Sequence, residues 1–122
     1  MIFQRMLKLQ IRKWKRHPVS DAAYVIYGHS VARHQLNDIG MGGLSFYYED
    51  QGRTIDRGYR ELTLVHHNRV FMKNLAFRTV SDIETGEVLF RNKRVKRRSV
   101  RFVGLSGQQK QQLKRFIADV RQ

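Results

Sequence analysis

Cysteine is absent from the 122 residues. That removes disulfides, thiolate catalysis and every zinc site that needs sulfur, and it fits a reducing compartment. No uncharged run approaches the roughly 20 residues needed to span a bilayer, so no transmembrane segment is expected. Arg5 and Lys8 interrupt the apolar start and no small-residue cleavage site follows, which makes a poor signal peptide and a cytoplasmic expectation. Acidic residues are missing before Asp21, whereas Arg5, Lys8, Arg12, Lys13, Lys15 and Arg16 all precede it. The one proline, Pro18, ends any helix begun before it.

Catalytic and metal-binding patterns are missing as well. His66 and His67 are adjacent and would point to opposite faces of a strand. His17, His29 and His34 have no acidic or sulfur partner at a ligand spacing, so no metal is expected. Glu49, Asp50 and Asp56 read as a solvated hairpin tip with nothing to mark a tuned acid–base pair. The glycines at 40, 42 and 43 make neither GxGxxG nor a P-loop. The chain reads as a binding protein without a cofactor, and not as an enzyme.

What is present is positive charge: 24 Lys and Arg against 10 Asp and Glu, a formal net charge of +14. Such a field draws anions, whether a phosphate-bearing ligand, a nucleic acid, an acidic protein or an anionic membrane. The charge is clustered in the leading segment and in Arg91–Arg98, two stretches able to converge on one face. The length fits one domain with one core, and a hydrophobic fraction of 41% suits a folded chain.

Short β-rich runs fill the middle. Ala23–Tyr27 ends at Gly28; Leu44, Phe46 and Tyr48 alternate, as do Leu62 and Leu64; Phe71, Leu75 and Phe77 share one parity; Glu87–Phe90 and Val100–Val103 follow. Turn signals at Asp50–Gly52, His67–Asn68 and Glu84–Gly86 separate them, the pattern of a sandwich or small barrel. The period then changes. Leu113, Phe116, Ile117 and Val120 form one helical stripe, and Ser106 with Gln109 allows a capping box. The expected architecture is mainly β, a small antiparallel six-stranded barrel over 18–122 closed by a C-terminal helix at about 106–121, preceded by a basic segment over 1–17. Within that segment Phe3, Met6, Leu7, Ile11 and Trp14 trace a broken helical stripe, read as a packed helix in preference to a membrane-surface one.

Two short patterns stand in order. Arg12-Lys-Trp-Lys-Arg16 is an RxxxR pair, and Asp38-Ile-Gly-Met-Gly-Gly43 leads into the strand Leu44-Ser-Phe46. Each alone is common: spaced arginines are usually a solvated face, and Asp with glycines a tight turn. Together, ahead of further strands and a terminal helix, they resemble the PilZ domain family, which is marked by RxxxR and then D/NxSxxG. Arg97–Ser106 resembles the family's penultimate strand leading into the last helix, with Ser99 where the family often has glycine.

The resemblance implies binding of cyclic di-GMP through Arg12, Arg16, Asp38, Gly40 and Gly43, with the arginine segment as a mobile clamp. The residue chemistry agrees. A guanidinium can grip phosphate oxygens, pair with guanine O6 and N7, or stack on a base. A carboxylate can accept from guanine N1–H and N2–H2 together, and a glycine lets backbone approach closely or take a positive φ. The family's serine is Gly40 here, which removes a hydroxyl worth about 0.5–1.5 kcal/mol to a neutral partner and about 1.5–3 kcal/mol to a charged one. Restoring it with Gly40→Ser separates an intact site from a decayed one, since a rescue of binding argues for decay. The expected function is therefore a cyclic di-GMP receptor that changes conformation and regulates a protein effector. Two alternatives stay open: a PilZ-like interaction scaffold that has lost the nucleotide, and a small basic barrel that binds nucleic acid through phosphate contacts and stacking.

Overall fold

The structure is a computed structural model that describes residues 15–20, 22–28, 32–50, 60–89 and 93–122. The N-terminal stripe from Phe3 to Trp14, Arg12, His29, Gly52, Asp56, Phe90 and Arg91 lie outside those residues. Among the described residues seven strands precede one helix: β1 (His17–Pro18), β2 (Ala23–Tyr27), β3 (Arg33–Ile39), β4 (Gly43–Asp50), β5 (Glu61–His66), β6 (Arg69–Leu89), β7 (Lys93–Phe102) and α1 (Gly107–Val120). Strands β3, β2, β5, β6, β7 and β4 pair in that order, and β4 returns to β3, so six antiparallel strands close a ring. Closure removes the exposed edges of an open sheet. The seventh strand, β1, adds to β3 through His17↔Ile39 and Pro18↔Asp38.

Alternation places the core. Leu44, Phe46 and Tyr48 of β4, Val25 and Tyr27 of β2, and Leu62 and Leu64 of β5 are all buried inside the ring. The expected helix forms with the expected stripe: Leu113, Phe116, Ile117 and Val120 are its buried residues. Ser106 caps it, accepting from the Gln109 amide while the Gln109 side chain accepts from the Ser106 amide. Phe116 meets Phe71 edge-on at 5.1 Å between centroids, which seats α1 over one end of the barrel.

Three local expectations are corrected. Glu84–Gly86 does not end a strand; it is a bulge inside β6, where four steps from Glu84 to Val88 face two from Lys96 to Arg94. Gly86 takes φ +86°, and the Thr85 hydroxyl donates to the Val95 carbonyl and accepts from the Glu87 amide. A bulge and a turn need the same glycine chemistry, so composition alone cannot separate them. His67 belongs to a two-residue turn with Asn68, both at positive φ, so its ring comes to 4.0 Å from that of His66 instead of pointing away. Glu49 and Asp50 end β4 as part of a strand, and Glu49 pairs with Lys93 at 3.4 Å.

The basic run from Arg91 to Arg98 also departs from a purely solvated face. Arg98 is 4% exposed and lies inside the barrel. Its Nη2 donates to Asp82 at 2.7 Å and its Nη1 to the Tyr27 hydroxyl at 2.9 Å, while the Tyr48 hydroxyl donates to Asp82 at 2.6 Å. Burial lowers the pKa of Arg98, but the bonds to Asp82 and Tyr27 outweigh it and hold the guanidinium charged. Burial and the bond to Asp82 push the Tyr48 phenol up.

His34 stands beside this cluster, 5.6 Å from the Phe46 ring, and burial followed by the charge of Arg98 lowers its pKa below 6.5. The unfolded chain therefore takes up a proton near pH 6.5 that the folded state refuses, so stability falls as pH drops below that value. His66, lowered mainly by burial and then by His67, contributes with the same sign. Thermal denaturation is expected to show a Tm that declines from pH 7 to pH 5, with a shallower decline in His34→Gln. Equal slopes in the two proteins would contradict this account.

Candidate functional site

The site begins with an irregularity in β3. Leu36 pairs with Phe46 and Asp38 with Ser45, so two β3 residues, Asn37 and Asp38, oppose the single Ser45. In a regular strand one of those two side chains would face the core. The bulge turns both toward Ser45 instead. Asn37 Nδ2 donates to Ser45 Oγ at 2.9 Å, and Ser45 Oγ donates to Asp38 Oδ1 at 2.8 Å. The Tyr47 hydroxyl donates to Asn37 Oδ1 at 2.9 Å, which gives a directed chain, Tyr47 to Asn37 to Ser45 to Asp38. Ser45 is 2% exposed, so this hydroxyl is a fixed part of the carboxylate's surroundings.

Arg16 arrives from the other side. Its Nη1 donates to Asp38 Oδ1 at 3.0 Å, and its Nη2 lies 3.4 Å from the Val100 carbonyl on β7. The guanidinium side chain is 11% exposed and the carboxylate 25%. Residues 22 apart in sequence thus meet because β1 pins the leading arm along β3. Arg16 thereby also reaches the backbone of β7 at Val100.

The glycine corner makes that crossing possible. The Gly40 amide donates to the Gly43 carbonyl at 2.9 Å and closes a tight turn between β3 and β4. A Cβ on Gly40 would fall on the Lys15 carbonyl oxygen, far inside contact distance, and 3.3 Å from Arg16 Cδ. A Cβ on Gly43 would collide with the Val100 carbonyl oxygen and approach Arg16 Nη2 to 2.8 Å. Gly43 does not have a positive φ, so of the two uses of glycine expected there, close approach is the operative one.

At position 40 the geometry leaves no room for the family's serine side chain. Any side chain there lifts Lys15 and with it Arg16 off the corner, so for a receptor that uses this corner Gly40→Ser is expected to weaken ligand binding by about tenfold, or about 1.4 kcal/mol. A titration in which Gly40→Ser binds more tightly than the parent would contradict that assignment.

Arg16, Asp38, Gly40 and Gly43 are therefore brought together, and Arg12 lies outside the described residues. Asn37, Ser45 and Tyr47 were not among the expected site residues. Their signal was present: Leu44, Phe46 and Tyr48 face the core, which leaves Ser45 and Tyr47 on the opposite face of β4, beside the motif and with Ser45 covered by the site itself. A cavity of about 820 Å³ opens at the other end of β3 and β4, with Arg33, His34, Glu84 and Arg97 in its walls. None of the expected site residues lines it. Among the described residues no group of three or more His, Cys, Asp or Glu could hold a metal, and no helix is long and apolar enough to cross a membrane.

No family model and no curated protein matches the sequence. Solved structures do match the fold. The PilZ domain of YcgR from Escherichia coli, with c-di-GMP, aligns over 88% of this chain and 89% of its own at a TM-score of 0.64 and 18% identity. The structure of YcgR from the same organism in complex with c-di-GMP aligns over 88% of this chain and 45% of its own, at a TM-score of 0.58 and 19% identity. This chain has a PilZ-like fold, a ring of six antiparallel strands with one C-terminal helix.

Proposed function

We propose that this protein is a cyclic di-GMP receptor and that it performs no chemistry of its own. One observation carries the reading: Arg16 and Asp38, contributed by two separate motifs, meet at 3.0 Å over a corner that only glycines leave open. The ligand presents two phosphates and two guanines, and the pair offers a complement to each. Arg16 turns from Asp38 to a phosphate or to a guanine face, and Asp38, released from the arginine, accepts from the guanine N1–H and N2–H2 edge. Asp38 Oδ1 already accepts from Ser45, so the carboxylate is oriented before the ligand arrives. Arg12, from the same arm, is the second clamp residue in this reading.

Binding then acts by shifting a population. With Arg16 on Asp38 the arm lies closed on the barrel; with Arg16 on the ligand the arm takes a second position that a protein effector can distinguish. The contact between Arg16 and Asp38 also favours one competing reading, in which the arm permanently fills the corner and the domain is an interaction scaffold.

Thermal denaturation separates these readings. A ligand at a hundredfold excess over its Kd contributes about 2.7 kcal/mol of stability, a rise in Tm of roughly 10 °C for a domain of this size. Cyclic di-GMP is expected to give that shift, with GMP and RNA at equal phosphate giving little. No shift with the dinucleotide supports the scaffold, and an equal shift with RNA supports a nucleic-acid-binding barrel.

A further inference from the structure

A second feature of the arm lies beside the same glycine corner. Lys15 and His17 of the arm, Gly40 and Met41 of the corner, and one face of α1 enclose a cleft of about 290 Å³. The helix supplies Lys114, Ile117 and Ala118, and its C-cap residue Arg121 completes the wall. Those positions follow the i, i+3, i+4, i+7 spacing and form a stripe beside the core stripe, sharing Ile117 with it. Lys114 and Arg121 therefore stand at the two ends of an apolar floor, about 10 Å apart along the axis at 1.5 Å per residue.

The cleft is uniformly basic. Its ionisable lining is Lys15, His17, Lys114 and Arg121, with no carboxylate among them. The one acidic residue of α1, Asp119, lies where its charge acts on His66, at the other side of the helix. Among the described residues the side chains of Lys15, Lys114 and Arg121 make no ion pair or hydrogen bond. The C-terminal end of a helix is the negative end of its dipole and opposes an anion, so these side chains alone would carry the attraction.

The walls are also joined. The Ser20 amide donates to the Val120 carbonyl at 2.7 Å, the Gln122 amide donates to the Pro18 carbonyl at 3.0 Å, and Val19 bridges Arg121. Main-chain bonds at 18–20 thus hold Lys15 opposite Lys114 and Arg121, an arrangement of like charges that an anion between them relieves. The volume is below the 300–1,000 Å³ typical of whole drug-sized ligands, and it suits one phosphate group better than an entire dinucleotide.

We infer that this cleft binds a phosphate group and that Lys114 of α1 and its C-cap residue Arg121 are ligand-binding residues outside both motifs. The inference rests on the receptor reading for the source of that group, a phosphodiester of cyclic di-GMP held by Arg16. Inorganic pyrophosphate presents the same chemistry without the guanines. An occupied cleft would fasten the arm to α1 as well as to the barrel.

The test uses the full chain and the double variant Lys114→Ala/Arg121→Ala. Both side chains are exposed, so an unchanged urea midpoint is expected and certifies the fold. Calorimetric titration with cyclic di-GMP is expected to show the double variant binding about tenfold more weakly than the parent. Amide NMR with pyrophosphate is expected to shift residues 15–17, 40–41 and 114–121 in the parent and not in the variant. Equal dinucleotide affinity in parent and variant, with those amides unmoved by pyrophosphate, would overturn the inference and leave the receptor reading standing. Shifts with pyrophosphate in a parent that ignores the dinucleotide would do the reverse. If pyrophosphate moves the cleft while the variant keeps full dinucleotide affinity, the site takes free phosphate anions, and the dinucleotide source is rejected.

Discussion

Alanine at position 16 is expected to weaken cyclic di-GMP binding by about a hundredfold or more while leaving the fold in place. A hydrogen bond to a charged group contributes about 1.5–3 kcal/mol, and a guanidinium makes two such bonds to a phosphate or to a guanine edge. Two bonds at the lower figure give about 3 kcal/mol, which is two decades at 1.36 kcal/mol per decade. The structural role of Arg16 is much smaller. Its partner Asp38 is 25% exposed and its contact with the Val100 carbonyl is long, at 3.4 Å. Partly solvated ion pairs of this kind contribute about 0–1 kcal/mol. Arg16→Lys should fall between parent and alanine, because it keeps the charge and loses the planar fork. Calorimetry checks affinity and urea denaturation checks the fold. A protein in which alanine costs stability but no affinity would make Arg16 a structural residue only.

Asp82→Ala is expected to destabilise the barrel by roughly 3 kcal/mol, the lower end of the cost of removing one partner from a buried pair. Asp82 accepts from Arg98 at 2.7 Å and from Tyr48 at 2.6 Å, and Lys96 lies 3.9 Å away. The Arg98 side chain is only 5% exposed, so its charge would remain desolvated with no carboxylate to meet it. The exposed pair Arg94–Glu84, at 3.2 Å, provides the contrast. Glu84→Ala should change stability by about 0.5 kcal/mol or less. Urea unfolding of the two variants checks both figures. A similar small effect in each would show that the charge inside the barrel is already hydrated.

Much of this architecture was legible before the structure. The terminal helix was readable because its apolar spacing and cap agree, so local and tertiary preferences point the same way. The hairpin at His67–Asn68 was readable for the same reason. The interior of the barrel was less so. Eight residues with six cations between Arg91 and Arg98 suggest a solvated strand. Yet Arg98 shares its parity with Val100, and the register opposite Asp82 is what draws it inward. Sequence neighbours reveal parity but not which distant carboxylate waits on the facing strand.

The site shows the same division. The types Arg16, Asp38, Gly40 and Gly43 were visible as motifs. The bulge that turns Asn37 and Asp38 onto one surface was not, because a one-residue register shift leaves no mark in composition. Gly40 shows why substitutions mislead when read one at a time. Against the family pattern it is a missing hydroxyl; in this barrel it is the space through which the Lys15 carbonyl passes.

The two motifs act on one ligand only if Arg16 and Asp38 respond to it together. NMR of protein labelled at the Arg16 guanidinium nitrogens and the Asp38 carboxyl carbon, titrated with cyclic di-GMP, reads both groups at once. Both signals are predicted to move along one saturating curve as the contact between them is replaced. A folded protein in which both stay fixed at millimolar dinucleotide would contradict the account.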